Sequence, residues 1–239
     1  MKHHKIIGLL LCTTVFLTGC ATRQNIAPPA DFTSQPKKIL ITHLSGMENA
    51  TYIPPTTQTN QGLLVALIDA AVVHNAADIG PAVNRLVSAP ILDEHYYKRF
   101  DTFYRGHDFT IVRADKPVAK NQLYSPKIKE GKYAPYDFTE LKGQYDADYA
   151  LILDVLKFSA TRFGYMHRPH GRSNVSLYLV DLSDNSIVAE YKTNEVINDA
   201  EGDWDTPPAF YALTQSVRNS LTMALDEAYS IISGDKPLK

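Results

Sequence analysis

Residues 147–158, ADYALILDVLKF, decide the fold, because no side of this run suits contact with water. In an extended chain, successive side chains point to opposite faces. One face would carry Tyr149, Leu151, Leu153 and Val155, and the other Ala150, Ile152, Leu156 and Phe158. A strand that is apolar on both faces belongs in the middle of a covered sheet. We therefore expect a central strand here, with further layers on both sides of the sheet.

The chain beyond this strand carries a hairpin pattern, VSLYLVDLSDNSIVAEYK, over residues 175–192. The pattern predicts strands at 173–182 and 187–196. The residues between them, Ser183–Ser186, are typical of a turn. Polar and apolar side chains alternate in the second strand, so we expect one of its faces to meet water.

Further segments complete the predicted order of elements. They are strands at 37–44 and 108–113, helices from Ser88 to Gly106 and from Asp137 to Tyr145, and a long amphipathic helix from Thr206, its N-cap, to about Gly234. The helices follow from apolar side chains recurring every three or four residues, together with capping residues and prolines at their starts. This order predicts an α/β fold, in which a mixed five-stranded sheet packs with helices and a long C-terminal amphipathic helix.

A strongly apolar segment over residues 61–78, QGLLVALIDAAVVHNAAD, predicts one more helix. Its uncharged stretches are too short to span a membrane, which needs roughly 20 apolar residues. Two interpretations of its core, residues 63–73, remain open. It is either a central core helix or an interface between copies of the chain in a homo-oligomer, where small alanines permit close approach.

Together, the short helix, ADYALILDVLKF, the hairpin and the terminal helix resemble a layout found in bacterial envelope lipoproteins. In that layout Ala-Asp-Tyr begins a central strand, and the hairpin carries Val-Asp-Leu before its turn and Val-Ala-Glu after it. The layout is similar to the periplasmic α/β domains of the curli-secretion lipoprotein and the Tol-system periplasmic protein, and to uncharacterised lipoproteins. The likeness covers roughly residues 137–233 and implies a fold, with no functional residue attached.

The amino terminus has the organisation of a bacterial targeting segment. A basic start, MKHHK, precedes an uncharged apolar run from Ile6 to Leu17, as in secretory signal peptides. Leu17-Thr18-Gly19-Cys20 then resembles the lipobox of bacterial lipoprotein precursors. The resemblance implies cleavage before Cys20 and covalent lipid, palmitate included, on its sulfur. Because Ala21, not Asp, follows Cys20, it further implies the outer membrane, with the domain facing the periplasm.

This assignment divides the chain into three parts. Residues 1–19 are the expected signal peptide, 20–36 the lipidated Cys20 with a flexible tether, and 37–239 a single periplasmic domain. As a coil, the 16 residues after Cys20 would have a mean reach of roughly 20–25 Å. The only other cysteine, Cys12, lies in the signal peptide. The mature domain therefore forms no intramolecular disulfide and depends on its core for stability.

The charge of the mature chain argues against nucleic-acid binding. Removal of Lys2 and Lys5 reduces the 24 basic residues to 22, against 26 acidic ones, which is a formal charge of −4. No basic cluster compensates for this balance, whereas nucleic-acid binding depends on positive charge.

The sequence contains no convincing catalytic set. No free thiol remains after processing, and no serine lies in a Gly-x-Ser-x-Gly elbow. Two clusters of side chains are candidate metal sites. They are His167 with His170, and the acidic residues Asp199, Glu201, Asp203 and Asp205. For each cluster, the alternative is a solvated loop that binds no metal. Their side chains are ligand types, but neither set has the complete spacing of a known zinc or calcium site. We therefore expect no cofactor apart from the lipid on Cys20.

Aromatic side chains are concentrated in the middle of the chain. Of 24 Phe, Tyr and Trp residues, 12 lie between Tyr96 and Tyr149. Exposed aromatic residues are favoured at protein interfaces, and buried ones stabilise cores. Tyr124, Tyr133, Tyr136 and Trp204 are the candidates for a partner surface.

We therefore expect a lipid-anchored, non-enzymatic binding or accessory subunit of a transport, secretion or envelope-maintenance assembly. Its partners would be the membrane, through the lipid, and another envelope protein or further copies of itself. The alternative is a metal-dependent hydrolase of envelope polymers, with His167, His170 and an acidic residue such as Asp154 at its site.

Overall fold

A computed structural model describes residues 25–54, 78–125, 132–162, 168–207 and 209–234. Cys20, His167 and the segment 63–73, whose role the sequence leaves open, lie outside these residues. Within the described part of the chain, no helix is both long and apolar enough to cross a membrane.

Within the described residues, seven strands form a mixed sheet in the middle of the domain. Its strands are β1 (Lys38–His43), β2 (Thr51–Ile53), β3 (Thr110–Arg113), β4 (Tyr149–Thr161), β5 (His170–Asp181), β6 (Ile187–Lys192) and β7 (Val196–Asp199). The main path runs β3-β1-β4-β5-β6, while β2 pairs with β4 and β7 pairs with β5. The described part of the chain has helical residues 78–84, here α1, and helices α2 (Ala89–Leu92), α3 (Lys98–Arg105), α4 (Glu140–Tyr145) and α5 (Tyr211–Ile232). A π-helical segment, Asp93–Tyr97, joins α2 to α3.

The strand predicted from ADYALILDVLKF is the central strand β4. It pairs in parallel with β1 and β2 and antiparallel with β5. Leu151, Ile152 and Leu153 are fully buried, because layers of structure cover both faces. The predicted mixed α/β fold is confirmed, and the predicted number of five strands is wrong.

Two short strands account for the difference in number. β2 has only three residues, too few for a periodic pattern to be detected. The strand predicted over 187–196 ends at Lys192 as β6, and β7, which starts at Val196, lies almost entirely beyond the predicted range. Between them, Thr193 uses both its backbone N–H and its hydroxyl to bond Val175 of β5, which interrupts the regular ladder.

One face of the sheet carries α1, α2, α3 and α5 over the larger core cluster. Aromatic side chains dominate the contact with α2 and α3. Tyr96, Phe100 and Tyr104 are almost completely buried, and the Tyr96 hydroxyl donates to the carbonyls of Thr42 and Leu151 at 2.8 and 2.9 Å. Burial of three such rings removes a large apolar area from water, so the helix predicted from Ser88 to Gly106 is a principal part of the core.

The other face is covered by α4 and by the chain between β3 and α4. Phe138 and Leu141 pack there against Leu40, Ile152 and Val180 in a second core cluster. The buried Asn185, in the hairpin turn, ties this layer to the sheet. Its amide oxygen accepts from the Phe138 N–H at 3.0 Å, and its amide nitrogen donates to the Tyr136 carbonyl at 2.9 Å.

The C-terminal helix begins later than the sequence pattern indicates. The prediction of Thr206 as N-cap is wrong, since α5 starts at Tyr211 and its N-cap is Phe210 in the left-handed region, φ 46°. Thr206 instead accepts one isolated hydrogen bond from the Phe210 N–H, 3.0 Å long. Phe210 is fully buried. The hydrophobic burial of this ring, rather than local capping chemistry, decides where the helix starts.

The tether expected over residues 20–36 contacts the domain over its described part. Ile26 and Glu190 of β6 exchange two backbone hydrogen bonds, 2.8 and 2.9 Å long. Phe32 is buried, and its ring packs edge-on against Phe109 and Tyr149. From Asn25 onwards, this segment is therefore part of the folded domain.

Candidate partner-binding groove

A groove runs along the outside of the second layer, between residues 115–124 and α4. It consists of two adjoining depressions of about 200 and 490 Å³. Both are lined by Val118, Ala119, Gln122, Leu141 and Gln144. The groove lining thus combines apolar side chains with amides, and charged residues, Asp115, Lys116, Asp137 and Glu140, line it as well. An apolar centre with a polar rim is a composition that suits a protein segment.

The outer wall of the groove is fixed to the sheet. Val118 forms a parallel bridge with Leu44, just beyond β1. The Val118 N–H donates to the His43 carbonyl, and the Ser45 N–H donates to the Val118 carbonyl, both at 2.9 Å. Ser45 is therefore a turn residue at a strand end, with its hydroxyl near the Lys120 N–H at 3.4 Å.

Tyr124 stands at one end of the groove with 70% of its surface exposed. Its backbone is held in place, because its carbonyl accepts from the Asp137 N–H at 2.9 Å. The next residue, Ser125, donates its hydroxyl to the Pro135 carbonyl at 3.3 Å. An aromatic side chain on a fixed backbone loses little conformational entropy on binding, which favours it as an interface anchor.

The other aromatic candidates for a partner surface have different environments. Tyr136 is half-buried against Phe138, with ring centroids 6.2 Å apart. Tyr133 pairs with Ser186 at the edge of β6. Trp204 is half-buried beside the larger core cluster, with the Arg162 guanidinium 4.8 Å from its ring. The sequence gives no means of separating these residues, because their exposure depends on contacts between distant segments.

An ion pair lies between the groove segment and the sheet. The buried Asp154 accepts two hydrogen bonds from Lys120 Nζ, 3.1 and 2.8 Å long. Burial lowers the pKa of Lys120, but its hydrogen bond and charge attraction to Asp154 outweigh burial and raise that pKa overall. Asp154 is thus occupied as an anchor for the chain beside the groove.

Of the metal-ligand types noted in the sequence, the structure brings His170 and Asp199 together. His170 Nδ1 lies 2.6 Å from Asp199 Oδ1 across β5 and β7. Glu201, Asp203 and Asp205 are all exposed in the loop that follows. Among the described residues, no three His, Cys, Asp or Glu side chains are grouped closely enough to hold a metal ion. His167 lies outside the described residues.

The structure also reveals a polar cluster that the sequence does not indicate, at the carboxyl end of β1. His43 Nδ1 lies 2.5 Å from the Tyr97 hydroxyl. The Arg113 guanidinium covers the Tyr97 ring at 3.9 Å and donates to Asp93 at 2.8 Å. No sequence signal could have joined these residues, because they come from β1, β3 and the π-helical segment.

The protonation states in this cluster are determined mainly by burial. Burial lowers the pKa of His43, the negative charge of Glu48 raises it, and the positive charge of Arg113 lowers it, with a net decrease. Burial also raises the pKa of Tyr97 to about 12. The short contact between the Tyr97 hydroxyl and His43 Nδ1 joins the π-helical segment to the sheet.

The sheet and its two covering layers define a mixed α/β sandwich domain. No protein-family model and no curated protein sequence matches the chain.

Several solved structures resemble the chain at low identity. Protein XCC0632 from Xanthomonas campestris, of family DUF330, has 12% identity and a TM-score of 0.39, with 88% of this chain and 95% of that chain covered. The PelC dodecamer from Paraburkholderia phytofirmans has 14% identity and a TM-score of 0.30, with 83% and 94% covered. Lipoprotein GNA1162 from Neisseria meningitidis has 13% identity and a TM-score of 0.29, with 79% and 99% covered. Values of this size carry no inference about function.

Proposed function

We propose that this protein is a lipid-anchored, non-enzymatic binding subunit of a bacterial envelope assembly. Lipid on Cys20 holds it at the periplasmic face of the outer membrane, and the groove beside α4 binds another envelope protein. The observation that carries the proposal is Tyr124, an aromatic side chain that is 70% exposed on a backbone fixed by the Asp137 N–H.

The chemistry of the groove favours a protein partner. Val118 and Leu141 supply apolar contact, while Gln122 and Gln144 supply amide donors and acceptors. Interfaces of this kind combine an apolar centre, aromatic anchors and a polar rim. Attachment to the membrane raises the local concentration of the binding site, so modest contact affinity is sufficient for stable association.

Site-specific photocrosslinking in living cells tests the groove. A benzophenone amino acid replaces Tyr124 in one strain and Tyr211 in a matched control strain. Tyr211 is 74% exposed but lies on α5, on the opposite side of the sheet from the groove. We expect a discrete adduct with a different envelope protein from position 124, and none of that mass from position 211.

Other adduct patterns would contradict the proposal. Equal adducts from both positions would indicate non-specific contact, and an adduct of twice the monomer mass would indicate self-assembly. As a second readout, Tyr124→Ala should abolish co-purification of the crosslinked partner, while Tyr211→Ala should preserve it.

Two measurements test the remaining parts of the proposal. Mass spectrometry of the mature amino-terminal peptide should show Cys20 carrying lipid, and Cys20→Ser should abolish this modification. Elemental analysis of the purified protein should find less than one equivalent of any transition metal or calcium. A stoichiometric metal that is lost in His170→Ala would instead favour the metal-dependent hydrolase.

A further inference from the structure

We propose that the β6 edge of the sheet lies at the lipid surface, held there by a leash of only four residues between Cys20 and Asn25. This inference rests on the proposed lipidation of Cys20. It adds an orientation, since it specifies which side of the domain faces the membrane and which side is available to a partner.

The chain joins the folded domain beside β6. Asn25 Oδ1 accepts from the Lys192 N–H at 3.1 Å. Ile26 then exchanges two backbone hydrogen bonds with Glu190. Because Ile26 pairs antiparallel to β6, the chain at this point runs along the β6 edge in the direction opposite to β6.

Residues beyond Ile26 hold the segment to the domain. Phe32 is only 6% exposed between Phe109 and Tyr149. Lys37 Nζ donates to the Phe32 carbonyl at 2.5 Å and lies 4.6 Å from the Phe32 ring centroid. These contacts fix a strap, residues 25–36, whose start is attached to one edge of the sheet.

The strap limits the maximum distance between the lipid on Cys20 and the folded domain. Only residues 21–24 separate Cys20 from Asn25, and five Cα–Cα steps span at most about 18 Å in any conformation. A free coil from residue 20 to 36 would instead have a mean reach of roughly 20–25 Å and a much greater maximum. The membrane surface must therefore pass close to Asn25.

The opposite edge of the sheet is much farther from the anchor. The order β3-β1-β4-β5-β6 places four strand spacings between β6 and β3, which is roughly 19 Å. The groove wall is attached to the chain beside β1, through Val118 and Leu44. An edge-on orientation with β6 at the lipid thus leaves the groove accessible from the periplasm.

The β6 edge has side chains that suit a headgroup region. Lys132 and Lys192 are both exposed there. Lys132 Nζ lies 5.2 Å from the ring centroid of the half-buried Tyr133. Lysine and tyrosine are favoured at membrane interfaces, where a charged or polar tip meets headgroups and an apolar stem meets acyl chains. Asp184 is the acidic side chain whose charge interacts with Lys132.

Fluorescence quenching in vesicles measures this orientation. Lys192→Cys on β6 and Thr110→Cys on β3 introduce the only free thiol of the mature lipoprotein, and both positions are exposed. The lipidated variants carry a nitrobenzoxadiazole label in vesicles of phosphatidylethanolamine and phosphatidylglycerol that contain headgroup-nitroxide lipid. We expect quenching at position 192 to be at least about twofold stronger, because four strand spacings, roughly 19 Å, separate β3 from β6 across the sheet. Equal quenching, or stronger quenching at position 110, would overturn the proposal.

A longer leash provides the matched control. Insertion of 20 Gly-Ser residues between Gln24 and Asn25 adds a coil with a mean reach of roughly 25 Å. It should reduce quenching at position 192 towards the value at position 110, and an unchanged value would overturn the role of the leash. Mass spectrometry of the same samples distinguishes a failure of the proposed lipidation from a failure of the proposed orientation. Absence of lipid on Cys20 removes the proposed function as well, whereas lipidated protein with equal quenching removes only the orientation.

Discussion

Gly171 of β5 lies directly against the backbone of Ser216 in α5. A Cβ atom on Gly171 would be 2.2 Å from the Ser216 carbonyl oxygen. The Gly171 N–H donates to the Ser216 hydroxyl at 2.6 Å, and that hydroxyl donates to the Asn198 carbonyl of β7, also at 2.6 Å. One serine thus joins the helix to two strands, at a separation that only glycine permits.

Gly171→Ala should lower the free energy of unfolding by about 3 kcal/mol, because the helix backbone must move to make room for the methyl group. Urea denaturation followed by circular dichroism measures this change. Gly143→Ala in α4 is the matched control. No atom lies within 4 Å of its added Cβ, so we expect stability to rise by up to about 1 kcal/mol through helix propensity. Equal losses in both variants would contradict the close-contact argument.

Lys120→Met should destabilise the protein by about 2 kcal/mol, since it leaves the buried Asp154 carboxylate without its cation. Replacing both residues, Lys120→Met with Asp154→Leu, should restore part of the loss, because an apolar pair leaves no uncompensated charge. Denaturation of the two single variants and the double variant measures the coupling. Strict additivity would mean that the ion pair contributes nothing.

The lowered pKa of His43 leads us to expect that the free energy of unfolding falls on acidification. The folded-state pKa of His43 is lower than the ordinary value of 6.5 for a histidine, mainly through burial, so the unfolded chain binds the proton more readily. The free energy of unfolding should therefore fall as the pH drops from 6.5 towards the folded-state pKa. His43→Gln, which keeps a polar partner for Tyr97, should lose less stability between pH 7 and 5, whereas Gln35→Ala, an exposed change that removes no titratable group, should follow the wild type. Denaturation at the two pH values measures both, and identical pH dependence in all three proteins would refute this assignment.

Asn185→Ala should destabilise the hairpin and the layer that carries the groove by about 3 kcal/mol. Asn185 has a φ of 64°, which costs energy for alanine, and its side chain satisfies Phe138 and Tyr136. Asn185→Gly removes the hydrogen bonds without the conformational cost, so it should lose less. Thermal denaturation of both variants separates the contribution of the Asn185 hydrogen bonds from the conformational cost of alanine at a positive φ. A larger loss of stability in the glycine variant than in the alanine variant would contradict this interpretation.

The strap should contribute to the stability of the domain. Phe32→Ala should cost about 3 kcal/mol, because it removes a buried ring from between Phe109 and Tyr149. Ile26→Pro should cost about 1 kcal/mol, since proline cannot donate to the Glu190 carbonyl. Chemical denaturation measures both. A free tether predicts no change, and exposed Gln35→Ala is the control for which none is expected.

Much of the fold could be predicted because its signals are local. ADYALILDVLKF is apolar on both faces of an extended strand, which predicts β4. Ser183–Ser186 combines turn-forming side chains, which predicts the hairpin. Each of these signals lies within a short stretch of the sequence. The start of α5 could not be predicted in this way, because the burial of Phe210 outweighs the capping signal at Thr206. The strap was missed for a similar reason, since its polar, proline-rich residues carry no pattern and its partners lie far along the chain.

The candidate site, like the fold, has parts that the sequence predicts and parts that only the structure shows. The sequence identifies Tyr124 only as one member of an aromatic-rich stretch, whereas the structure separates it from Tyr133 and Tyr136 by exposure. The His43–Tyr97 contact joins residues 54 positions apart, and only the folded chain brings them together.

The sequence by itself determined the mixed α/β class, the central strand and the lipobox pattern, because each depends on residue types at short, fixed spacing. Only the tertiary structure decided that residues 25–36 form a strap, that Tyr124 remains exposed beside a groove, and that Gly171 must lack a side chain. These properties depend on which distant segments meet, and they are determined by burial and backbone hydrogen bonding across the whole domain rather than by local preference.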